Sequence, residues 1–255
     1  VMPAVFIGAL MANLVDFYIK DASTTLSFLD YGVSNHKELL VSVIIAIGNT
    51  LEATTAYWLY NRLCHNEPVF QTNLGVVKWV AIVILASMVS ATIGVLALYF
   101  SGILPEFLLK TVWFTWQMGD TAGALILMPL IMSWWKHATH AAADTPKEFS
   151  SQTLAGISVL TTILSLLIFL ELGDMVFFKS QAYILIPFLF YMVLKIDEKF
   201  TFLNLLIIAG LAVFGTIEGL GPFHREQQNE SLIILQGFIA TLSIVSLIFA
   251  NLMEA

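Results

Sequence analysis

The chain has 255 residues, of which 58% are hydrophobic and only 11% are charged. Soluble globular chains are nearer half apolar and a quarter charged, so this composition predicts a protein embedded in lipid. The net charge of −7 argues against a nucleic-acid-binding protein, and the single cysteine, Cys64, excludes an internal disulfide.

Apolar runs of the length that crosses a bilayer as a helix recur along the chain. They predict about eight transmembrane helices, near residues 2–19, 38–61, 76–100, 112–135, 153–171, 181–195, 200–217 and 231–252. The sixth and seventh runs are joined by a tight loop and are expected to form an antiparallel hairpin. The predicted fold class is therefore all-α, a polytopic transmembrane helical bundle. It forms one integral-membrane domain over residues 1–255, because no loop is long enough for a soluble domain.

The first run is apolar from its first residue and lacks the basic region of a secretory signal. No cleavable signal peptide is predicted, and one or more further spans are expected upstream. Placing the C-terminus in the cytoplasm gives each inside loop two basic residues and, past the first loop, each outside loop one. This regularity favours a cytoplasmic C-terminus.

The second predicted helix carries an acid near its centre. Glu52 lies in AIGNTLEATTAYWLY, and Asn49 falls on the same helical face one turn earlier. An ionised carboxylate in the hydrocarbon region is costly, so such a residue usually faces the bundle interior or a wet cavity. Asn49 and Glu52 are therefore candidate ligand-binding residues.

The fourth predicted helix carries a second intramembrane acid. Asp120 lies in WFTWQMGDTAGALILMPLIMSWW, with no basic residue within a helical turn or two. Gly119 and Gly123 lie one turn apart, a spacing of small residues that predicts close packing against another helix. Four residues on a neighbouring face of the helix are candidate ligand-binding residues: Trp113, Trp116, Gln117 and Asp120.

The two acids leave two arrangements open. Glu52 and Asp120 can share one cavity, where they would share a proton, bind a cation or hold a polar ligand. Alternatively, hydroxyl and backbone groups can satisfy each acid separately. In the purely structural interpretation, a protonated Asp120 donates a hydrogen bond that fixes two helices together.

The chain turns sharply before its last predicted helix, in GTIEGLGPFHREQQNE. Its glycines lack a GK[ST] sequence and a flanking strand, so they do not indicate a phosphate site. Gly221, Pro222 and Phe223 are instead predicted to form a tight turn that caps the bundle. The five histidines lie in loops or at span ends without acids or cysteines at ligand spacing, so neither a metal nor another cofactor is expected.

The fourth predicted helix also contains the pattern W-x-x-W-x-x-G-D-x-x-G, followed by a proline and an aromatic end. The stretches PAVFIGALMANL, GNTLEA, SATIG and GLGPF, then NESLIILQGFIATL, lie around it in a fixed order. Together they resemble the bacterial membrane-associated sensor domain, first type (MASE class), over nearly the whole chain. Two features depart from that family: a tryptophan-proline-rich opening span is absent, and LKIDEKF replaces an arginine-phenylalanine-glycine turn. The pattern is carried here by Trp113, Trp116, Gly119, Asp120, Gly123, Pro129 and Trp134.

The resemblance implies a function that composition does not. Domains of this class are inputs of signalling proteins in the bacterial inner membrane and precede histidine kinases, diguanylate cyclases or phosphodiesterases. The resemblance implies that this segment is no enzyme and that the full-length protein would be a histidine kinase or a diguanylate cyclase. A cytoplasmic effector is then expected after residue 255, forming a homodimer. The signal would be a small molecule, a lipid or a membrane-protein partner.

Two other functions remain open from the residues. Intramembrane acids and prolines within spans also suit a proton-coupled transporter, although the two halves show no convincing inverted repeat. The second alternative is a passive anchor, which would dimerise its effector through the small-residue face around Gly119.

Overall fold

The computed structural model describes residues 2–20, 35–64, 69–139, 151–171, 181–195 and 198–254. In this part of the chain the structure is helical and contains no β-strand, which confirms the predicted all-α class. The α-helices found there are α1 (Met2–Lys20), α2 (His36–Cys64), α3 (Asn73–Phe100), α4 (Leu109–Thr139), α5 (Ser151–Phe169), α6 (Leu185–Lys195), α7 (Glu198–Ile217) and α8 (Gln228–Glu254). Short 3₁₀ turns occur at Val69–Gln71, Glu106–Leu108 and Ala182–Ile184.

Each predicted span corresponds to one helix of the described residues. Five of these helices have the length and hydropathy of a membrane span, namely α1, α2, α3, α7 and α8. Shorter apolar helices cover Ala155–Phe169 and Ala182–Leu194. The polytopic helical architecture is thus confirmed, while the number of membrane crossings stays a prediction.

The chain divides into two compact units. Unit 1 consists of Val1–Asn66 and Ala81–Gln117, and unit 2 consists of Glu67–Val80 and Met118–Ala255. Helices α3 and α4 therefore each contribute residues to both units. The single integral-membrane domain proposed for residues 1–255 stays a prediction.

In unit 1, helix α1 packs along α2. Val41 and Ile45 of α2 form a small core with Ala97 of α3, and Phe17 and Trp116 pack against it. The buried face of α3 consists largely of small residues, which permit close approach of neighbouring helices when lipid supplies no hydrophobic driving force. These residues are Ala86, Ser87, Ser90, Ala91, Gly94 and Ala97.

In unit 2, helix α7 lies at the centre of the packing. Helices α5, α6 and α8 all contact it, including α6, the predicted partner of α7 in a hairpin. Buried positions recur along α7 at three- and four-residue intervals, as a helix covered by several neighbours requires. The largest core cluster of the unit includes Phe169, Phe202, Leu205, Ile208 and Leu235.

Candidate functional site

Asn49 of α2 is joined to α3 by a side-chain hydrogen bond. The Ser90 hydroxyl, which is buried, donates to Asn49 Oδ1 over 3.0 Å. One residue before Asn49, a Cβ built on Gly48 would lie 3.1 Å from Cγ2 of Ile93. The glycine therefore brings α2 close enough to α3 for the amide to reach the hydroxyl.

Two further hydrogen bonds join α3 to α4. Gln117 Nε2 donates to Ser87 Oγ over 3.2 Å, and both residues are buried. One turn earlier on α4, Trp113 Nε1 donates to Thr92 Oγ1 over 3.0 Å. The partner moves back along α3 as the chain advances along α4, so the two helices run antiparallel here. We call the three bonds Asn49–Ser90, Gln117–Ser87 and Trp113–Thr92 the polar interface of unit 1.

The indole of Trp116 lies directly on the backbone of α3 at Gly94. A Cβ built on Gly94 would lie 2.7 Å from Cζ2 and 2.8 Å from Cζ3 of the ring, and Cη2 is also in contact. Real Cβ atoms do not approach a ring this closely, so any larger residue at position 94 displaces the indole or the helix. Close packing against Gly94 therefore fixes the position of the Trp116 indole beside the polar interface.

The polar interface gives hydrogen-bond partners to polar side chains of apolar helices, and three of them, Ser87, Ser90 and Gln117, are buried. An unsatisfied buried donor or acceptor costs about 1–3 kcal/mol. An interhelical hydrogen bond in a membrane protein nevertheless contributes only about 0.6 kcal/mol on average, because the separated helices also find partners. The interface therefore fixes the register of α2, α3 and α4 without binding them strongly together.

The two intramembrane acids lie on different helices and in different units. Glu52 is half-buried on α2 in unit 1, one turn after Asn49. Asp120 is half-buried on α4 in unit 2. Both residues have interaction partners in the structure. Their shared cavity and their role in ligand binding stay predictions.

The two glycines predicted to pack against another helix have different surroundings. A Cβ built on Gly119 would lie 2.9 Å from Nε2 of Gln236, so the α4 backbone lies against the side chain of an α8 residue. A Cβ built on Gly123 would meet no described atom within 4 Å. Of the two glycines, Gly119 is thus the one at which the α4 backbone closely approaches a described side chain of α8 in unit 2.

The turn before α8 is held against the end of α5. Gly219 and Gly221 have φ angles of +78° and +77°, a region that glycine adopts without steric cost. The Gly221 N–H donates to Glu171 Oε1 over 3.1 Å. A Cβ on Gly221 would lie 3.0 Å from the Phe169 carbonyl oxygen. The backbone therefore requires glycine here for its conformation and for its packing.

The two residues that follow Gly221 complete this turn. The ring of Phe223 stacks on Phe169 of α5 with centroids 5.9 Å apart, and lies 4.9 Å from the ring of Phe238 on α8. The Pro222 carbonyl accepts a hydrogen bond from Arg225 Nη1 over 3.2 Å. The residues predicted to cap the bundle thus lie where α5 ends and the segment leading to α8 begins.

Each unit has a shallow apolar groove among its described residues that is open to the surroundings. The groove in unit 1 has a volume of about 550 Å³ and includes Trp113, a predicted site residue, while that in unit 2 measures about 520 Å³. The first is lined by Thr92, Val95, Leu96, Leu109, Lys110, Trp113 and Phe114. The second is lined by Leu130, Ile131, Trp134, Trp135 and Leu203.

The α3 residues that contact the predicted site are not among the predicted site residues, although Ser90, Thr92 and Gly94 lie in the SATIG stretch of the family resemblance. Ser87, Ser90 and Gly94 are spaced i, i+3 and i+7, which places them on one buried face of α3, whereas the exposed Thr92 lies on another side of the helix. That periodicity of small and hydroxyl residues is the signal that could have identified them. Within the described residues, no group of three or more His, Cys, Asp or Glu side chains is placed to hold a metal ion.

The apolar helices and the all-α architecture indicate a multi-pass membrane protein. The family model of MASE1 matches residues 2–255, so the chain belongs to the MASE1 family. This is a family of membrane sensory domains of signalling proteins, and the domain is an input rather than a catalyst. No curated protein and no solved structure matches the chain.

Proposed function

We propose that this chain is the sensory input domain of a bacterial inner-membrane signalling protein. In this proposal a small molecule, a lipid or a membrane-protein partner engages the region of Asn49, Glu52, Trp113, Trp116 and Gln117. The engagement regulates a cytoplasmic histidine kinase or cyclic-di-GMP module. The observation that supports it best is the polar interface of unit 1, where predicted site residues hold three apolar helices in register.

The strength of the polar interface suits a switch. Three interhelical hydrogen bonds at about 0.6 kcal/mol each sum to about 2 kcal/mol. Coupling free energies between a ligand site and a distant output are typically about 1–3 kcal/mol. A ligand that binds two packings of α2, α3 and α4 unequally by this amount would shift their populations.

Helix α4 offers a route to the output helix. It carries Gln117 in the polar interface and, two residues later, Gly119. The Gly119 backbone lies against Gln236 of α8, so a displacement of α4 at this level has to move that side chain. We propose that α8 passes the change to the cytoplasmic effector.

Effector output in whole cells tests the proposal. Gln117→Leu removes the donor of one interface bond, and Glu52→Gln replaces the carboxyl group of the predicted site acid in unit 1 by an amide. Both variants are expected to change the effector output in the absence of the signal. They are also expected to reduce the difference between the outputs with and without the signal. The matched control is Thr241→Val, because the Thr241 hydroxyl is exposed and donates within its own helix to the Gly237 carbonyl.

Wild-type regulation in both site variants, at normal membrane abundance, would show that the site is assigned wrongly. Replacing the chain with an inert multi-span anchor distinguishes sensing from passive anchoring. If regulated output survives the replacement, the chain acts only as an anchor. Proteoliposome flux addresses the transporter alternative, because a sensor moves no solute.

A further inference from the structure

The groove of unit 1 combines an apolar lining with a single charged group. Val95 and Leu96 of α3 face Leu109 and Phe114 of α4 across it, and Trp113 forms part of its wall. Lys110 is the one ionisable residue of the lining and is exposed. The arrangement has the chemistry of a site for an amphiphile with an apolar chain and an anionic end.

The remaining polar groups of the groove are satisfied within the protein. The Thr92 hydroxyl donates to the Met88 carbonyl over 2.6 Å and accepts the Trp113 N–H over 3.0 Å. These bonds fix the indole as one wall of the groove. The Thr92 hydroxyl and the Trp113 N–H are thus already hydrogen-bonded within the protein. Lys110 has no ion-pair partner among the described residues, although Glu106 lies four residues earlier. Its ammonium group therefore remains the point that attracts an anion.

The position of Lys110 fits the depth of lipid headgroups. It is the second residue of α4 and follows the turn that connects α3 to α4. Two aromatic side chains beside this turn point outwards, Phe100 with 78% and Phe107 with 82% of its surface exposed. Exposed aromatic residues at span ends are typical of the membrane interface, where a lysine side chain reaches the headgroups. The positive end of the α4 dipole adds to the attraction for an anion at this position.

We propose that the groove binds an anionic phospholipid. Its acyl chain lies against Leu96, Trp113 and Phe114, and its phosphate pairs with Lys110. Charge complementarity favours this occupant over a zwitterionic lipid, whose headgroup has no net charge to offer a lone cation. A small inorganic anion would leave the apolar lining uncovered. The proposal concerns lipid binding alone and holds whether or not the lipid acts as a signal.

Quenching of Trp113 fluorescence by brominated lipids tests the proposal in proteoliposomes of the full chain. The signal of this residue is the difference between the wild type and Trp113→Phe. Brominated phosphatidylglycerol is expected to bind about fivefold more tightly than brominated phosphatidylcholine, since one basic residue near an anionic lipid surface contributes about 1 kcal/mol. Lys110→Gln is expected to abolish this preference.

Two variants serve as controls of opposite kinds. Lys37→Gln removes another exposed lysine near a helix start, outside the groove, and is expected to leave the preference unchanged. Glu106→Gln removes the carboxylate nearest in sequence to Lys110 and is expected to increase the preference. Native mass spectrometry of lipid retained by the purified chain gives a second measurement that does not require Trp113 to be replaced.

Three results would overturn the proposal. The first is equal quenching by the two lipids in the wild type. The second is an anionic preference that survives Lys110→Gln in both measurements. The third is quenching that falls as the protein density rises, because a second copy of the chain would then cover the groove.

Discussion

The contact between Gly94 and Trp116 gives the sharpest test of the packing in unit 1. Adding a single methyl group in Gly94→Ala would place it 2.7 Å from Cζ2 of the indole. Overpacking of this kind costs about 1–3 kcal/mol, and the gain in helix propensity from glycine to alanine returns about 0.5–1 kcal/mol. We therefore expect a net destabilisation of up to about 2.5 kcal/mol.

A double-mutant cycle isolates the steric part of this effect. The ring atoms in contact, Cζ2, Cη2 and Cζ3, all belong to the outer six-membered ring of the Trp116 indole. Trp116→Phe removes that part of the side chain. In this background Gly94→Ala is expected to be neutral or stabilising by about 0.5–1 kcal/mol, so the coupling between the two positions is about 1–3 kcal/mol.

The free energy of unfolding can be measured by circular dichroism during SDS titration of the chain in mixed micelles. Gly123→Ala is the matched control, because its new methyl group would meet no described atom within 4 Å. It is expected to gain about 0.5–1 kcal/mol from helix propensity alone. An equal cost of Gly94→Ala with and without the indole would refute the contact as its cause. A destabilising Gly123→Ala would instead support the close helix packing that the sequence predicts for Gly123.

Two further predictions concern the hydrogen bond in unit 1 and the packing in unit 2. The cycle of Gln117→Leu with Ser87→Ala is expected to show a coupling of about 0.6 kcal/mol, and a value indistinguishable from zero would mean that the 3.2 Å bond does not stabilise the fold. Gly215→Ala is expected to destabilise the chain by about 1–3 kcal/mol, because its methyl group would collide with the Phe169 carbonyl. This carbonyl is a backbone group that cannot rotate away. Gly210→Ala in the same helix meets no described atom within 4 Å and is expected to be stabilising in the same unfolding measurement.

The positions of the helices can be read from the sequence alone. The run predicted at 112–135 falls within α4, Leu109–Thr139, and the run predicted at 200–217 falls within α7, Glu198–Ile217. Helix length and apolar content are local properties, since a chain in lipid has to satisfy its backbone hydrogen bonds within each span. The family also followed from the sequence, because its motifs are short runs that the chain carries in order.

Which of these residues contact each other depends on how the helices pack in the folded chain. Asn49 and Gln117 are recognisable as polar groups in apolar spans, yet their partners Ser90 and Ser87 lie on a third helix. Serine is common in membrane helices. The spacing of Ser87, Ser90 and Gly94 marks a face of α3 that another helix can approach, but no local feature shows which side chain lies opposite it.

Gly119 and Gly123 illustrate the same division. Their spacing in the sequence is that of a helix-packing pair. The α4 backbone contacts the Gln236 side chain at Gly119, but a Cβ built on Gly123 would have no described atom within 4 Å. Helix periodicity fixes which side chains share a face, and it carries no information about the distance to whatever lies opposite. That distance depends on side chains far away in the chain, so only the folded structure sets it.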